Sequence, residues 1–241
     1  MTIKVAVVGA TGRMGKLALE LIEAAQDLSL HAALDSKSDL KQVLGADVVF
    51  EVTKLEVSEQ VANFCVENNL KLVIGTSGWS AAKLATLENQ LATAGNNSAV
   101  AVIPNFSVGS MLATKFAAEA AKYFDSIEIV EAHHAGKIDS PSGTAVRTAE
   151  LIAQSRGEIP LVPGAGQSAR GQIVAGIPVH SLRLNGVSAK QDIILGGNAE
   201  TLTISHDVIS VASYSAGILA VIRHAAQAKG LTVGLQAVLL G

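Results

Sequence analysis

The run Glu131-Ala132-His133-His134-Ala135-Gly136-Lys137-Ile138-Asp139-Ser140-Pro141-Ser142-Gly143-Thr144-Ala145 gathers two imidazoles, an ammonium, two carboxylates and a helix start. An imidazole titrates near neutrality, so it can donate or accept a proton. Lys137 adds a positive charge or a mobile proton. Ser142, Gly143 and Thr144 open a helix, and the first amides of a helix bind a carboxylate well. The chemistry these residues fit is proton transfer on a small anion. Neighbouring side chains on a strand point opposite ways. His133 and His134 therefore share one site only if the strand breaks before them. Gly136 and Pro141 make such a break plausible.

A second group is Gly9-Ala10-Thr11-Gly12-Arg13-Met14-Gly15, placed between a β-branched run and a helical pattern. Backbone amides at a helix N-terminus hold a pyrophosphate. Gly9 and Gly12 allow the tight turn and close approach of phosphate, and Gly15 lets helix and strand pack. The spacing is GxxGxxG rather than GxGxxG, and a tight turn without a ligand is the plain alternative. Asp35 stands at the end of the second strand, where a carboxylate accepts hydrogen bonds from a ribose. It repels a 2′-phosphate and so favours NADH. Lys37 offsets that repulsion and leaves NADPH open. A solvated loop acid is the plain alternative for Asp35. Gly75-Thr76-Ser77-Gly78 and Pro104-Asn105-Phe106 follow later strands, where open α/β sheets bind ligands. Their hydroxyl and backbone groups can orient a nicotinamide. Each alone reads as an ordinary turn.

Other chemistries fit less well. There is no HExxH and no cysteine partner for zinc, so no metal is expected. No G-x-S-x-G elbow marks a serine hydrolase. His31, His206 and His224 read as structural histidines. The single cysteine, Cys65, falls in a helical pattern and reads as a buried, inert thiol. Net charge is -3 and aromatics are 3%, which argues against a nucleic-acid surface. No leader precedes the first strand, and no apolar run reaches about eighteen residues. A cytoplasmic chain with no membrane partner is expected.

The elements that must position these residues follow from hydrophobic periodicity. Of 241 residues, 49% are hydrophobic, enough for one large or two modest cores. Strands are expected at 3–8, 28–34, 48–52, 72–74 and 99–103. Helical patterns separate them, with Met14, Leu17, Ala18, Leu21 and Ile22 on one face. Ser80 is a good N-cap, flanked by a Trp79–Leu84 staple. This alternation implies a parallel sheet with right-handed crossovers. After Phe106 the rhythm changes. A helix near 110–124 precedes a strand at 127–132, and another helix starts near Ser142. Residues 157–176, rich in glycine and holding Pro160 and Pro163, read as a long loop or covering flap. Strands at 178–183, 192–195 and 201–206 lack intervening helices, which predicts a mixed or antiparallel sheet. A helix near 213–228 and the apolar tail 231–240 are expected to return to the first domain.

The His-His-Lys run resembles the signature of the 4-hydroxy-tetrahydrodipicolinate (dihydrodipicolinate) reductase family. The resemblance extends to Gly9–Gly15, Gly75–Gly78, the stretch from Pro104 to Gly109 and the stretch from Gly176 to Ser181, and so covers essentially the whole chain. It implies an α/β fold: an N-terminal Rossmann-like parallel-sheet domain (1–105 and 214–241) and a C-terminal mixed α/β domain (106–213) that binds substrate and builds a homotetramer. It implies NADH- or NADPH-dependent reduction of a small cyclic dicarboxylate in the diaminopimelate route to lysine. By the same resemblance His133 is the catalytic acid/base and Lys137 the proton donor. His134, Ser142, Gly143 and Thr144 contact substrate. Gly9, Ala10, Thr11, Gly12, Arg13 and Met14 hold the pyrophosphate and Asp35 the ribose. Gly75, Thr76, Ser77, Ile103, Pro104, Asn105 and Phe106 form the nicotinamide side. The chain departs from the family pattern at Glu51-Val52, Ser140, Ala189-Lys190-Gln191 and Val211. Another Rossmann dehydrogenase of amino or imino acids, or a non-catalytic nicotinamide sensor, is the alternative.

Overall fold

The computed structural model describes residues 2–95, 97–157, 164 and 166–241. The chain divides into two compact units, 1–108 with 211–241, and 109–210.

The first unit is built on a six-stranded, all-parallel sheet. Its strands are β1 (Ile3–Val8), β2 (Leu28–Leu34), β3 (Val48–Glu51), β4 (Lys71–Ile74), β5 (Ala99–Val102) and β11 (Gly230–Val233). Their spatial order is β11-β5-β4-β3-β1-β2. β3 and β5 are buried along their whole length, as parallel strands covered on both faces must be. That is why they read as unbroken apolar runs. The helices are α1 (Arg13–Ala24), α2 (Leu55–Glu67), α3 (Ala81–Ala94), α6 (Ser215–Gln227) and α7 (Leu235–Leu240). α1 turns Leu17, Ala18 and Ile22 inward. Ser80 caps α3 by accepting from the Lys83 amide, as expected. α6 packs on β3, β4 and β5, and β11 then adds beside β5. Residues 211–241 thus complete the unit that residues 1–108 begin. The chain leaves β1 in one direction to reach β2 and in the other to reach β3, so the switch point lies between β1 and β3. Ligands bind at such a point, beyond the carboxyl ends of the strands.

The second unit holds α4 (Val108–Ala120), α5 (Gly143–Arg156) and a five-stranded sheet. The strands are β6 (Ser126–His134), β7 (Gln172–Val174), β8 (Ile177–Leu184), β9 (Ala189–Gly197) and β10 (Glu200–Val208), in the order β10-β9-β6-β8-β7. β6 and β8 run parallel and the remaining pairs antiparallel, the mixed sheet expected. Alternate residues Ile127, Ile129, Ile177, Val179, Ile193 and Leu195 pack against Ala145, Ala149 and Ile152 of α5. Each fully buried isoleucine, leucine or valine there contributes about 1.5–3 kcal/mol. The opposite face exposes Leu182, Leu184 and Ile194.

The expected loop at 157–176 needs correction. Residues 158–163 and 165, with Pro160 and Pro163, lie outside the described residues. The rest is not loop throughout: Gln172–Val174 is the edge strand β7, joined to β8 by a two-residue turn at Ala175-Gly176. Both turn residues have positive φ, 48° and 82°, the turn that matches strand twist. Among the described residues, no helix is long and apolar enough to cross a membrane.

Candidate functional site

The site residues of the second unit sit at the carboxyl end of β6 and the start of α5. The expected break before the imidazoles does not occur: β6 runs unbroken through His134. Alternation therefore separates the two rings. His133 shares the α5 face of the sheet with Glu131, while His134 is exposed, its ring beside Gly136. The chain then turns, with the Lys137 amide donating to the His134 carbonyl. The Ser140–Pro141 peptide is cis.

The centre of this arrangement is Glu131, a fully buried carboxylate. Burying a charge is costly unless it is paired and hydrogen-bonded. Glu131 has four donors. His133 Nδ1 lies 2.5 Å from Oε2, and the Ser142 amide donates to Oε1 at 3.2 Å. The Arg183 guanidinium bridges both oxygens, at 3.1 and 3.0 Å. Burial alone would raise the Glu131 pKa, but interactions with Arg183 first, then Ser181 and His133, outweigh it and hold the carboxyl below its usual range. The His133 pKa moves down. Burial is the main cause, and the nearby Lys137 and Arg183 charges add to it, against the opposing pull of Glu131. This shift favours the neutral imidazole.

Lys137 Nζ donates to Asp139 at 2.7 Å, and this pairing holds the Asp139 carboxyl below its usual range. Arg183 also donates to the Asp139 carbonyl at 2.6 Å. Ser142 is buried and its polar groups are used within the fold. Its hydroxyl caps the Ala145 amide and its own amide serves Glu131. It shapes the helix start, and as an acceptor in that cap its hydroxyl keeps its own hydrogen to donate. Beside it, a Cβ built on Gly143 would meet nothing within 4 Å, so the approach to the α5 N-terminus is open there. Thr144 lies in the first turn, and its carbonyl accepts from Thr148.

In the first unit, Gly9 has φ +90°, and a Cβ there would lie 2.6 Å from the Val52 carbonyl oxygen. A Cβ on Gly15 would lie 2.1 Å from the Gly9 carbonyl oxygen, so both positions require glycine. Gly12 differs. As the N-cap of α1 it has ordinary φ, no side-chain cap and no acidic residue in the turn that follows. Its Cβ position is open except for the Gly9 carbonyl oxygen at 3.4 Å. This is a cradle of unshielded first-turn amides, and it fits a pyrophosphate. Thr11, Gly12 and Arg13 are exposed around it, Met14 is half-buried and Ala10 is buried.

Asp35 follows β2 and accepts from the Lys37 amide (2.9 Å) and the Ser38 hydroxyl (2.8 Å) through Oδ1. Those bonds, the Lys37 amide first, lower its pKa and fix the carboxylate at the strand end. Beyond β4 and β5, Ser77 and Pro104 are exposed and Gly75 and Asn105 half-buried, whereas Thr76, Ile103 and Phe106 are buried. The Phe106 ring packs against Phe50 and over Gly75, where a Cβ would come within 2.7 Å of it. Phe106 thus shapes this wall from behind.

Two groups went unrecognised in the sequence. Glu51, noted only as a departure, is a buried carboxylate that gathers the β3 and β4 ends. It accepts from the Thr53 amide and hydroxyl, the Thr76 hydroxyl and the Ser58 hydroxyl at 2.5–2.8 Å. Arg183 carried no local signal at all. Its place opposite His133 comes from the parallel register of β6 with β8.

Residues 3–106 match the family described as dihydrodipicolinate reductase, N-terminus, and residues 109–239 match dihydrodipicolinate reductase, C-terminus. The chain is 54% identical over 237 residues to the 4-hydroxy-tetrahydrodipicolinate reductase of Clavibacter sepedonicus, covering 98% of this chain and 85% of that one. It is 43% identical to the enzyme of the same name from Streptomyces griseus, over 97% and 96% of the two chains. A solved dipicolinate-bound dihydrodipicolinate reductase from a Paenisporosarcina species superposes with a TM-score of 0.85 at 32% identity, covering 99% of this chain and all of that one. With both halves matched and near-complete coverage of reductases from separate genera, this chain belongs to the dihydrodipicolinate reductase family.

Proposed function

We propose that this chain reduces 4-hydroxy-tetrahydrodipicolinate to tetrahydrodipicolinate, the step that leads toward diaminopimelate and lysine, with NADH or NADPH as reductant. The observation that carries this reading is the Glu131–His133 pair beside Lys137 and the open start of α5, in a chain of this family. The net change takes in one hydride and one proton and releases water. The bound coenzyme supplies the hydride to the ring. The remaining work belongs to the protein.

The first-turn amides at Gly143 and Thr144 hold one carboxylate, assisted by the helix dipole. Lys137 exchanges its Asp139 partner for the other carboxylate, whereas His134, on the opposite face of β6, is left out of this set. Ser142 keeps the helix start in place. A dianion brought beside His133 raises the imidazole pKa, because opposite charge favours the protonated form. His133 therefore gains its proton as substrate binds and returns it to the ring carbon made basic by hydride addition, with Lys137 available to resupply it. In the first unit, Gly9, Ala10, Thr11, Gly12, Arg13 and Met14 form the pyrophosphate cradle and Asp35 takes the ribose hydroxyls. Gly75, Thr76, Ser77, Ile103, Pro104, Asn105 and Phe106 shape the nicotinamide side.

The functional reading is tested by incubating the purified chain with the cyclic substrate and either coenzyme. Product formation at the expense of reduced coenzyme supports it. Turnover of open-chain amino or imino acids instead contradicts it. For the coenzyme site, Asp35→Ala is expected to weaken NADH by about tenfold, the low end for a hydrogen bond to a charged group, and NADPH by less. Equal losses in titration calorimetry would remove the ribose role.

The reading also includes a homotetramer, built on the exposed sheet face of the second unit, and a cytoplasmic setting where reduced coenzyme is available. Leu182, Leu184 and Ile194 lie on that one face, 44%, 47% and 37% exposed. Glu128 of the same face is bound by Arg170 and His180. Light scattering should give four times the chain mass, and Leu182→Glu should lower it. A monomeric wild-type chain would refute the assembly.

A further inference from the structure

We infer that Glu131 and Arg183 are a positioning pair: Glu131 fixes the His133 ring so that Nε2 is the atom that carries the reacting proton, and Arg183 couples that carboxylate to the segment bearing Lys137. The inference rests on the proposed reaction for its meaning, but its structural half can be tested without turnover.

An ionised carboxylate only accepts hydrogen bonds. Glu131 Oε2 lies 2.5 Å from His133 Nδ1, so Nδ1 must carry the hydrogen whenever Glu131 is charged. Neutral His133 is then the Nδ1–H tautomer, with a lone pair on Nε2. A second proton can load only at Nε2, and only from there can it leave. Without Glu131 nothing in this contact would prefer Nδ1–H, and in the other tautomer Nε2 could not accept a proton.

Glu131 does not act alone. Both its oxygens are bridged by Arg183, whose guanidinium also donates to the carbonyls of Leu182 and Asp139, each at 2.6 Å. Asp139 in turn pairs with Lys137. Glu131 Oε1 further accepts the Ser142 amide at the head of α5. One buried carboxylate thus ties together the acid/base ring, the turn carrying the lysine and the helix start. Arg183 Nε is buried with no hydrogen-bond partner, so the guanidinium is placed for its two terminal nitrogens. A planar, forked cation suits this bidentate bridge, and lysine would not reproduce it.

The charged groups acting on His133 are Glu131 on its own strand, Arg183 on β8 and Lys137 on the following turn. Glu131 stabilises imidazolium and the two cations oppose it. Removing the Glu131 charge therefore lowers the His133 pKa. If protonated His133 is the acid, the alkaline limb of the pH–rate profile moves to lower pH.

The experiment combines nitrogen-15 histidine NMR with kinetics. The His133 signals are assigned by their loss in His133→Asn. The wild-type protein is expected to show His133 as the Nδ1–H tautomer above its pKa. Glu131→Gln is expected to bind pyridine-2,6-dicarboxylate within about threefold of wild type. Its kcat should fall about 10–10²-fold, part of a full acid/base contribution, and its alkaline limb should shift down. Glu131→Asp, which keeps the charge, should recover much of the rate. A role in packing alone would lower folded protein without moving the limb or the tautomer. An Nε2–H tautomer in wild type overturns the inference, even if Glu131→Gln fails to fold. So does Glu131→Gln with unchanged kcat and pH profile. An Nδ1–H tautomer in a wild-type chain with no turnover upholds the tautomer and sinks the functional reading instead.

Discussion

His133→Ala is expected to lower kcat by about 10²–10⁴-fold, the usual contribution of a positioned acid/base group. KM should change little, because the proposed holders of the carboxylates are Lys137 and the α5 amides rather than this ring. The variant should fold, since His133 is half-buried at a strand end and its loss removes only one of the donors to Glu131. The pH dependence follows from the direction of the His133 shift. Burial lowers its pKa in the protein without substrate, and a bound dianion raises it. The alkaline limb of kcat should therefore lie at higher pH than that of kcat/KM. Turnover of His133→Ala within about threefold of wild type would remove His133 from the chemistry.

The second large effect concerns stability. Arg183→Met should destabilise the protein by about 3–5 kcal/mol, the cost of stranding a buried charge by deleting its partner. The sign with pH can be worked out. The Glu131 pKa is depressed in the folded protein, so its contribution is present above the unfolded value of about 4.3 and is lost as pH falls through the folded value. Wild-type stability should therefore decline on the acid side. In Arg183→Met the carboxyl loses its main stabilising partner and takes up a proton at higher pH, so that acid-side decline flattens. Urea unfolding at several pH values reads both effects. A loss below about 1 kcal/mol would mean that Glu131 is adequately solvated or paired without Arg183.

The parts of this molecule legible in its sequence are those governed by local pattern. β3 and β5 read as unbroken apolar runs because both of their faces are covered. The Gly9 loop was legible because a backbone with φ +90° and a 2.1 Å approach at Gly15 permit only glycine. Ser80 and Ser142 were legible as caps because their hydroxyls can serve a nearby amide. The His-His-Lys run marked the candidate site, but not its geometry. A strand break before the imidazoles was expected. The pairing of β6 with both β8 and β9 instead carries regular structure through His133, and with β8 through His134. What the pattern could not supply was register. Glu131 and Arg183 are 52 residues apart and meet because two parallel strands align Glu131 with Ser181 and His133 with Arg183. The edge strand β7 was hidden in a glycine-rich stretch. Its signal was the two-residue Ala175-Gly176 link between the short apolar runs that end at Val174 and begin at Ile177.

The departures from the family pattern also acquire physical content. Glu51 is held in place by the Thr53, Ser58 and Thr76 hydroxyls, which all donate to it. Gln191 faces the second core and donates to Thr148, while Lys190 turns to the opposite face and pairs with Asp192. Val211 begins a short 3-10 turn and is 40% exposed.

The most direct test of the central claim is a stoichiometric assay of the purified wild-type chain with 4-hydroxy-tetrahydrodipicolinate and a limiting amount of NADH or NADPH. One tetrahydrodipicolinate, identified by mass, is expected for each reduced coenzyme consumed, with pyridine-2,6-dicarboxylate competing against substrate. Persistence of both reduced coenzymes in the presence of folded protein and fresh substrate would contradict it.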